Sequence, residues 1–588
     1  MVKTMNSLVN KIILILILIT PYISFASAPT TFATFSNISI EWDPDAGDGD
    51  ACGCQYKLAS SGSWLDCLNL FWDSVTGTYR GSVVGLTAGA IYDVKVNNGT
   101  DNEEVDDITM WSNTFPEGSV TNVTNTSDDL VISTSGTAEA YLVYQGSGGS
   151  ATIDVNNGEN TCVTISDDVH HVIIRNLILK DATLYGILIG DGVHDIIIDN
   201  NEITNWGNSA ANDQGGIHST DASDLYNIVI QRNTIHTPRM DSPAWPTHPN
   251  GPNGIFLEDV LYGLVIRYND IHGAVGHYFN DGIGGCCNCE VGKGFMTLDS
   301  DIYGNNISHV FDDGIEAEGM NNNTRVYGNY IDNVFIYIGA AGNQKGPLYI
   351  FRNVFDVQRG SLSSDDIDDY IGPPYWNPSS DGAAIKLAYD SANCDKGATY
   401  IFHNTQLAYV PGEATLYTGA PAGGPVSTGG GDLYNVTSLN NIWHIRKSSW
   451  TVMSAGADPC SVINDYDLWW QGAGTTANCS TNGGYGSGDW EDHGYGEAAV
   501  YAAGEGNTTG DGGYYRLGSG ETGHDDAVVL KNFNDANSRS DWQYEGIGPD
   551  IGVQERDSQQ MKFGVAAYDY YENEAPSATA SFSGVSFQ

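Results

Sequence analysis

The chain has 588 residues, with 24 basic against 73 acidic side chains and a formal net charge of −49. Such a surface repels nucleic acid and anionic membranes, since binding either needs Lys/Arg contacts to phosphate. It suits salty surroundings, where like-charge repulsion is screened over short distances, and it supplies the carboxylate oxygens that Ca2+ prefers.

The first 28 residues read as a secretory signal peptide. Lys3 and Lys11 give a positive start, Ile12 to Ile19 form an apolar core, and small residues follow at Ser24, Ala26 and Ala28. Cleavage is expected after Ala26, because Pro29 would flank a cut after Ala28. The core is too short to span a membrane and no later run reaches the ~18 apolar residues a span needs, so a secreted or cell-surface protein is expected. The 10 cysteines of an exported chain predict disulfides. Cys460 and Cys479 would close a loop, and Cys52, Cys54 and Cys67 lie together near the N-terminus. Cys286, Cys287 and Cys289 lack the second ligand pair of a zinc site and read first as disulfide formers.

Residues 29–112 read as a small β-sandwich. Alternating runs such as Asn37–Trp42 and Tyr92–Val96 are separated by Gly/Asp/Ser turns, and Trp42 is the expected core aromatic. Nothing in this segment has a catalytic pattern, so a spacing, docking or binding role is expected.

A repeat occupies the middle of the chain. A β-branched run, then Asn, any residue and an aliphatic recurs in Val172–Ile178, Ile196–Ile203, Ile228–Ile235, Leu264–Ile271, Ile302–Ile307, Val326–Ile331 and Tyr349–Phe355. Its Asn positions are 176, 201, 233, 269, 305, 329, 353, 404 and 440. The shortest spacing, 24 residues, is one bare coil; longer spacings are coils with inserted loops, and the interval of 51 has room for an extra coil. A coil cannot bury its own aliphatics, whereas stacked coils bury a continuous column. The prediction is an all-β chain: a right-handed parallel β-helix, over 113–556 with its C-terminal cap, preceded by the sandwich. The Asn residues are expected to form an inward ladder. A second column is Gly186-Ile, Gly216-Ile, Gly254-Ile, Gly282-Ile and Gly314-Ile, and the residue before each Gly changes from Tyr185 through Gly215 and Asn253 to Asp281 and Asp313.

That change marks the candidate site. His277–Ile283 and His309–Gly319 are successive versions of one turn and strand start. Coils in register place Asp281 and Asp313 about 4.8 Å apart, so one carboxylate is expected to stay protonated and the pair to work as acid and base or acid and nucleophile, near the ~5–5.5 Å of retaining glycosidases. With Asn280 and Asp312 the same pair is a candidate Ca2+ site, the one expected cofactor. Asp and Asn before Gly are also ordinary turn formers. Alternation points Ile315 and Ala317 inward and predicts Glu316 and Glu318 outward, about 6.6 Å apart, as in inverting glycosidases. His277 joins these four carboxylates as a candidate acid or base. The insertion Thr237–Trp245 and the segment up to Pro252 are expected to overhang this region, with Arg239, Trp245 and His248 shaping a sugar subsite. His236, His272 and His309 are further candidate substrate contacts, and Lys386 and Arg352 are candidate contacts for a substrate carboxylate.

Leu86-Thr-Ala-Gly-Ala-Ile-Tyr92 resembles the tyrosine corner of fibronectin type III domains, with Ala88 in place of the usual Pro. With Tyr79–Ser82, Trp111–Pro116, Asn280–Gly285, Asp299–Asn305, Asp312–Gly319 and Gly346–Asn353, the chain resembles secreted bacterial proteins in which such a domain precedes a pectate-lyase-like β-helix. The resemblance implies a polysaccharide partner and either a glycoside hydrolase or a polysaccharide lyase. It leaves open a non-catalytic surface or adhesive protein that binds glycans, because one fold hosts many functions. Gly548–Glu555 resembles the closing segment of many β-helix proteins. The tail, 557–588, reads as an appendage or as the start of a further strand, since Ala575–Phe587 echoes Ala28–Ile40.

Overall fold

A computed structural model describes residues 28–45, 49–208, 213–220, 224–240, 251–274, 276–285, 295–340, 343–356, 384–387, 397–407, 426–427, 435–445, 462–471, 493–506, 512–544, 546–556 and 558–572. The signal peptide through residue 27, Trp245, His248, Cys286, Cys287, Cys289, Cys460, Cys479 and the echo at 575–587 lie outside them. No helix among the described residues is long and apolar enough to cross a membrane.

The N-terminal domain has seven strands: β1 (Thr30–Ala33), β2 (Ile38–Trp42), β3 (Cys52–Leu58), β4 (Leu65–Asp73), β5 (Thr78–Val83), β6 (Ile91–Asn97) and β7 (Asn102–Thr109). They pair antiparallel in the order β1-β2-β5-β4-β3-β6-β7. Alternate residues of these strands, among them Ile38, Ile40, Trp42, Val94 and Val96, form the domain's core. A Cys54–Cys67 disulfide joins β3 to β4, while Cys52 and Cys162 are buried free thiols. The Thr87 amide donates to the Tyr92 hydroxyl at 3.2 Å.

From Glu117 the chain winds into a parallel β-helix with three long sheets of 12, 11 and 10 strands, here sheets I, II and III in the order each coil visits them. Each sheet pairs a strand only with its counterparts in neighbouring coils. Inward aliphatics such as Ile198, Ile230, Ile266, Ile203, Ile235, Ile217 and Ile255 merge into one core. Sheet I differs from ordinary solenoid faces because its outward residues are apolar too. In Val172-Ile-Ile, Ile196-Ile-Ile, Ile228-Val-Ile and Leu264-Val-Ile the middle residue points away from the core and is still buried. Continuous apolar runs of this kind are what a sheet covered on both faces requires. The cover is the N-terminal domain, the 493–556 cap and a helix, Val565–Glu572, which lays Tyr568 over Arg232 at 4.4 Å. The helix is docked as far as Glu572, where Tyr268 Oη and Asn113 Nδ2 bond the Glu572 carboxylate.

The ladder is real but shifted at its ends. Asn201, Asn233, Asn269, Asn305, Asn329, Asn353, Asn404 and Asn441 are stacked in register. Asn305 is typical: its Oδ1 accepts the Asn269 amide at 3.0 Å and Asn269 Nδ2 at 2.9 Å, while its Nδ2 reaches Ile266 O and Asn329 Oδ1, both at 3.0 Å. Asn176 and Asn440 belong to the column just before it, whose members Asn176, Asn200, Arg232, Tyr268, Gly304, Gly328, Arg352, His403, Asn440 and Tyr466 all have φ between 53° and 67°. Asn is favoured in that left-handed conformation as well as in the ladder, so the two columns look alike in sequence. Asn353 bonds Asn404 directly, so the interval of 51 residues is one coil and hides no other. Asp467 ends the ladder by accepting the Asn441 amide, and burial pushes its carboxyl up to about 7.

Asn305→Ala would strip the Asn269 amide of its acceptor and remove the bonds of Asn305 Nδ2 to the Ile266 carbonyl and Asn329 Oδ1, in the middle of the stack. At about 1 kcal/mol for each lost bond, a loss of roughly 3 kcal/mol is expected in urea denaturation. Asn201→Ala, at the ladder's first rung, leaves only Leu177 N and Ile174 O behind and should lose less.

Candidate functional site

On the sheet III strand Asp313–Glu316, Ile315 points into the core and Glu316 points out. The neighbours of Glu316 in the outward column are glycines. Gly339 pairs with it in the next coil, and a Cβ on Gly284 in the previous coil would stand 2.9 Å from Glu316 Oε2. One coil beyond Gly339 comes Lys386. The two glycines leave space for long side chains to converge, and Lys386 fills it. Its Nζ lies 2.8 Å from Asp313 Oδ2 and 2.8 Å from Glu318 Oε1. Carboxylate oxygens of Asp313, Glu316 and Glu318 all lie within 4.8 Å of one another.

Asp281 supports this group from the preceding coil. Asn253 Oδ1 accepts the Asp281 amide, and Asp281 Oδ1 accepts the Asp313 amide, each at 3.1 Å. The register expected for the two aspartates is thus present, and it doubles as a short side-chain-to-backbone ladder. Asp281 Oδ2 accepts Asn280 Nδ2 at 2.6 Å. Of the set proposed for Ca2+, Asp281 therefore spends both oxygens inside the protein and Asp313 spends Oδ2 on Lys386. A cation on Asp313, Glu316 and Glu318 would have to displace an ammonium already held by two carboxylates.

Exposure separates the roles. Asp313 is 1 % exposed, Glu318 2 % and Asp281 6 %, whereas Glu316 is half-buried. Glu318 was expected outward beside Glu316, two residues along one strand. The strand ends at Glu316, and Glu318, beyond Ala317, is buried against Lys386. The spacing of about 6.6 Å along a strand therefore does not apply.

The charges of this cluster work on one another. Burial raises the Glu316 carboxyl well above its usual range, helped by Asp281, Glu318 and Asp313 and opposed by Lys386. Burial likewise holds Asp313 well up despite Lys386, with Asp312, Glu318 and Asp281 adding to the effect. Burial alone would lower Lys386, but Asp313 and Glu318 outweigh it and keep the ammonium charged. The arrangement is a Glu316 carboxyl whose acid form is favoured, beside a buried Lys386 held between Asp313 and Glu318.

The remaining sequence candidates fall elsewhere. His236 and His272 stack at 5.3 Å on sheet II, and His236 faces Glu202 at 3.4 Å. They follow the Asn ladder, which stands at the sheet I–II corner, so they line a different face from the carboxylates. Arg239 donates to the carbonyls of Ala182 and Asn205 and braces a loop. His277 Nδ1 bonds Pro238 O at 2.7 Å, and His309, at φ 59°, lies against Tyr278. Arg352 is buried under the cap, donating to the carbonyls of Val553, Phe533 and Trp542. It is a structural tie rather than a substrate contact. Lys386 was singled out for a substrate carboxylate but pairs with the protein's own. Gly284 and Gly339 were missed. Their signal was a column in which Gly stands where other coils carry His218 and Phe256.

Gly339→Ala tests how tightly the bridge is built. Its Cβ would stand 2.1 Å from Asp313 Oδ2 and 3.1 Å from Glu318 Oε1. Both partners are buried, so the substitution should break the Lys386 bridge and lower the melting temperature by several degrees, at roughly 2 kcal/mol of overpacking. Gly284→Ala meets only the movable end and Cβ of Glu316 and Asp281 Cβ and should do less.

No family model and no curated protein matches the sequence. Among solved structures the chain is similar to a family 28 exopolygalacturonase of Yersinia enterocolitica, at 8% identity and a TM-score of 0.17, over 75% of this chain and 97% of that one. A likeness of that size leaves the reading of the site to the site's own chemistry.

Proposed function

We propose that the chain is an exported carbohydrate-active enzyme that cleaves a polysaccharide on the outward face of sheet III, with Glu316 as the general acid. The observation that carries the reading is the convergence of Asp281, Asp313, Glu318 and Lys386 on the half-buried Glu316, whose acid form is stabilised. Paired carboxyls driven to different protonation states are the working parts of glycoside cleavage. Asp313, Glu318 and Lys386 are buried and act as positioning residues. Asp281, in the previous coil, adds to the charges that raise Glu316. Lys386 supplies the local positive charge for which Ca2+ was the sequence-level candidate, so added Ca2+ or chelator should leave the activity unchanged. The N-terminal domain is read as fibronectin type III-like on its Tyr92 corner, and as a docked cover for sheet I rather than a mobile module.

The test is a panel of neutral and acidic polysaccharides assayed for new reducing ends and for unsaturated products. New reducing ends without unsaturation mark hydrolysis, and unsaturated ends mark elimination. No product from any glycan, with binding retained, would replace the enzyme with a non-catalytic glycan-binding β-helix.

A further inference from the structure

A second cluster lies far from Glu316, on the opening coils of sheet I. His171 and Asp195 occupy equivalent positions in successive coils, and His170 and His194 pair in register just before them. His171 (φ 56°) and Asp195 (φ 53°) are both left-handed, and one ligand atom each from His171, His194 and Asp195 falls within a 4.8 Å span. His171 Nε2 is 3.9 Å from Asp195 Oδ2, and His194 Nδ1 is 2.6 Å from the same oxygen.

Each group is also held from behind. His171 turns its other nitrogen, Nδ1, to His170 Nδ1 at 2.8 Å. His170 Nδ1 is placed to accept the His171 Nδ1–H. Asn227 Nδ2 donates to Asp195 Oδ1 at 3.2 Å, leaving Oδ2 for the centre of the cluster. Tyr226 stacks on His194 at 4.3 Å and Tyr141 lies 5.1 Å from His171, so the rings are fixed on two sides. An imidazole oriented by a hydrogen bond on its far nitrogen, as His171 is, beside a carboxylate held by its other oxygen, as Asp195 is, matches the surroundings of a bound transition metal. Two imidazoles and one carboxylate are a three-ligand zinc set with an open fourth position. Ligands around tetrahedral zinc stand about 3.4 Å apart at bond lengths of about 2.1 Å, which small side-chain rotations reach from here.

We propose that His171, His194 and Asp195 bind a divalent transition metal, with Zn2+ the fitting ion, and that His170 and Asn227 are its positioning residues. The ion would cross-link two coils close to the N-terminal end of the solenoid. A stack of this kind opens from its ends, because each coil is held only by its neighbours.

The test uses the secreted full chain after dialysis against a chelator, titrated with Zn2+ by calorimetry and with Co2+ by visible absorption, both in excess Ca2+. The expected result is one Zn2+ bound in the presence of Ca2+, a Co2+ spectrum with nitrogen ligation, and protection of the histidines from diethylpyrocarbonate. His194→Ala and Asp195→Asn should each weaken binding at least tenfold, and His170→Ala by about tenfold. Asp195→Asn is isosteric and keeps the fold testable if a His variant does not fold. Zn2+ binding that Ca2+ abolishes, or that persists unchanged in both His194→Ala and Asp195→Asn, would overturn the proposal, because it would place the ion on the general acidic surface.

Discussion

Glu316→Gln is expected to lower the rate of polysaccharide cleavage by about 10²–10⁴-fold, the range of a lost general acid, while the protein stays folded. The substitution is isosteric, and Gln cannot give up a proton to a leaving oxygen. It also removes a group that Asp281, Glu318 and Asp313 repel when charged, so stability should hold or rise. The pH dependence follows with a definite sign. Burial first, then those carboxylates, raise the folded-state value of Glu316 above its ordinary 4.5. The acid form, and the activity that needs it, is present at low pH and is lost as pH rises through that raised value. The stability linked to the group has the same sign: it is fully present below about 4.5 and declines above it. Lys386→Met removes the one charge that lowers Glu316. Its alkaline limb should therefore shift to higher pH, even as the lost bridge reduces stability. Wild-type rates from Glu316→Gln on every glycan the native protein cleaves would remove Glu316 from the chemistry.

Part of that site was legible from sequence because the Gly-Ile column gave a register. Once Gly282 and Gly314 are aligned, Asp281 and Asp313 must be neighbours, and the Asp313 amide does bond the Asp281 carboxylate. Lys386 was harder. It lies 73 residues from Asp313, across a coil of irregular length, and no local pattern links the two. Glu318 misled because alternation presumes that the strand continues. The strand ends at Glu316, and Glu318 packs on Lys386. The histidines misled for a related reason. Equivalent repeat positions guarantee stacking, as His236 and His272 show, but stacking says nothing about which face of the coil they occupy.

The fold was legible in its period and less so in its cover. The recurring Asn predicted coils and a ladder, and both exist; the one-residue slips at 176 and 440 arose because Asn also suits the left-handed column beside it. The doubled apolar runs of sheet I carried a further message. Ile173, Ile197, Val229 and Val265 point away from the core, and a highly acidic protein has no reason to expose them. Their burial requires a partner layer, and the N-terminal domain, cap and terminal helix supply it.

Arg325→Ala should destabilise that layer by about 3–5 kcal/mol, the loss when one partner of a buried ion pair is removed. Arg325 and Asp301 lie on adjacent coils of sheet I, and neither is exposed. The guanidinium bonds Asp301 and reaches across to Ser39 Oγ at 2.7 Å and Ser82 Oγ at 3.0 Å in the N-terminal domain, while Thr34 Oγ1 donates to the other Asp301 oxygen. The Ala variant strands a carboxylate in the interface, so urea should detach the N-terminal domain before the β-helix melts, and a protease should cut near residue 113 at lower denaturant. Replacing both partners, as in Asp301→Leu with Arg325→Met, leaves no stranded charge and should restore most of the stability. Asp299 adds a pH signature. Burial raises its carboxyl from 3.8 to about 6 despite Arg325, so its contribution is complete below about 3.8 and is lost as pH climbs through about 6. Docking measured by protease resistance should weaken across that window and should cease to do so in Asp299→Asn. A loss under about 1 kcal/mol for Arg325→Ala, the size of an exposed pair, would mean that water reaches the interface and that the two domains are not one body.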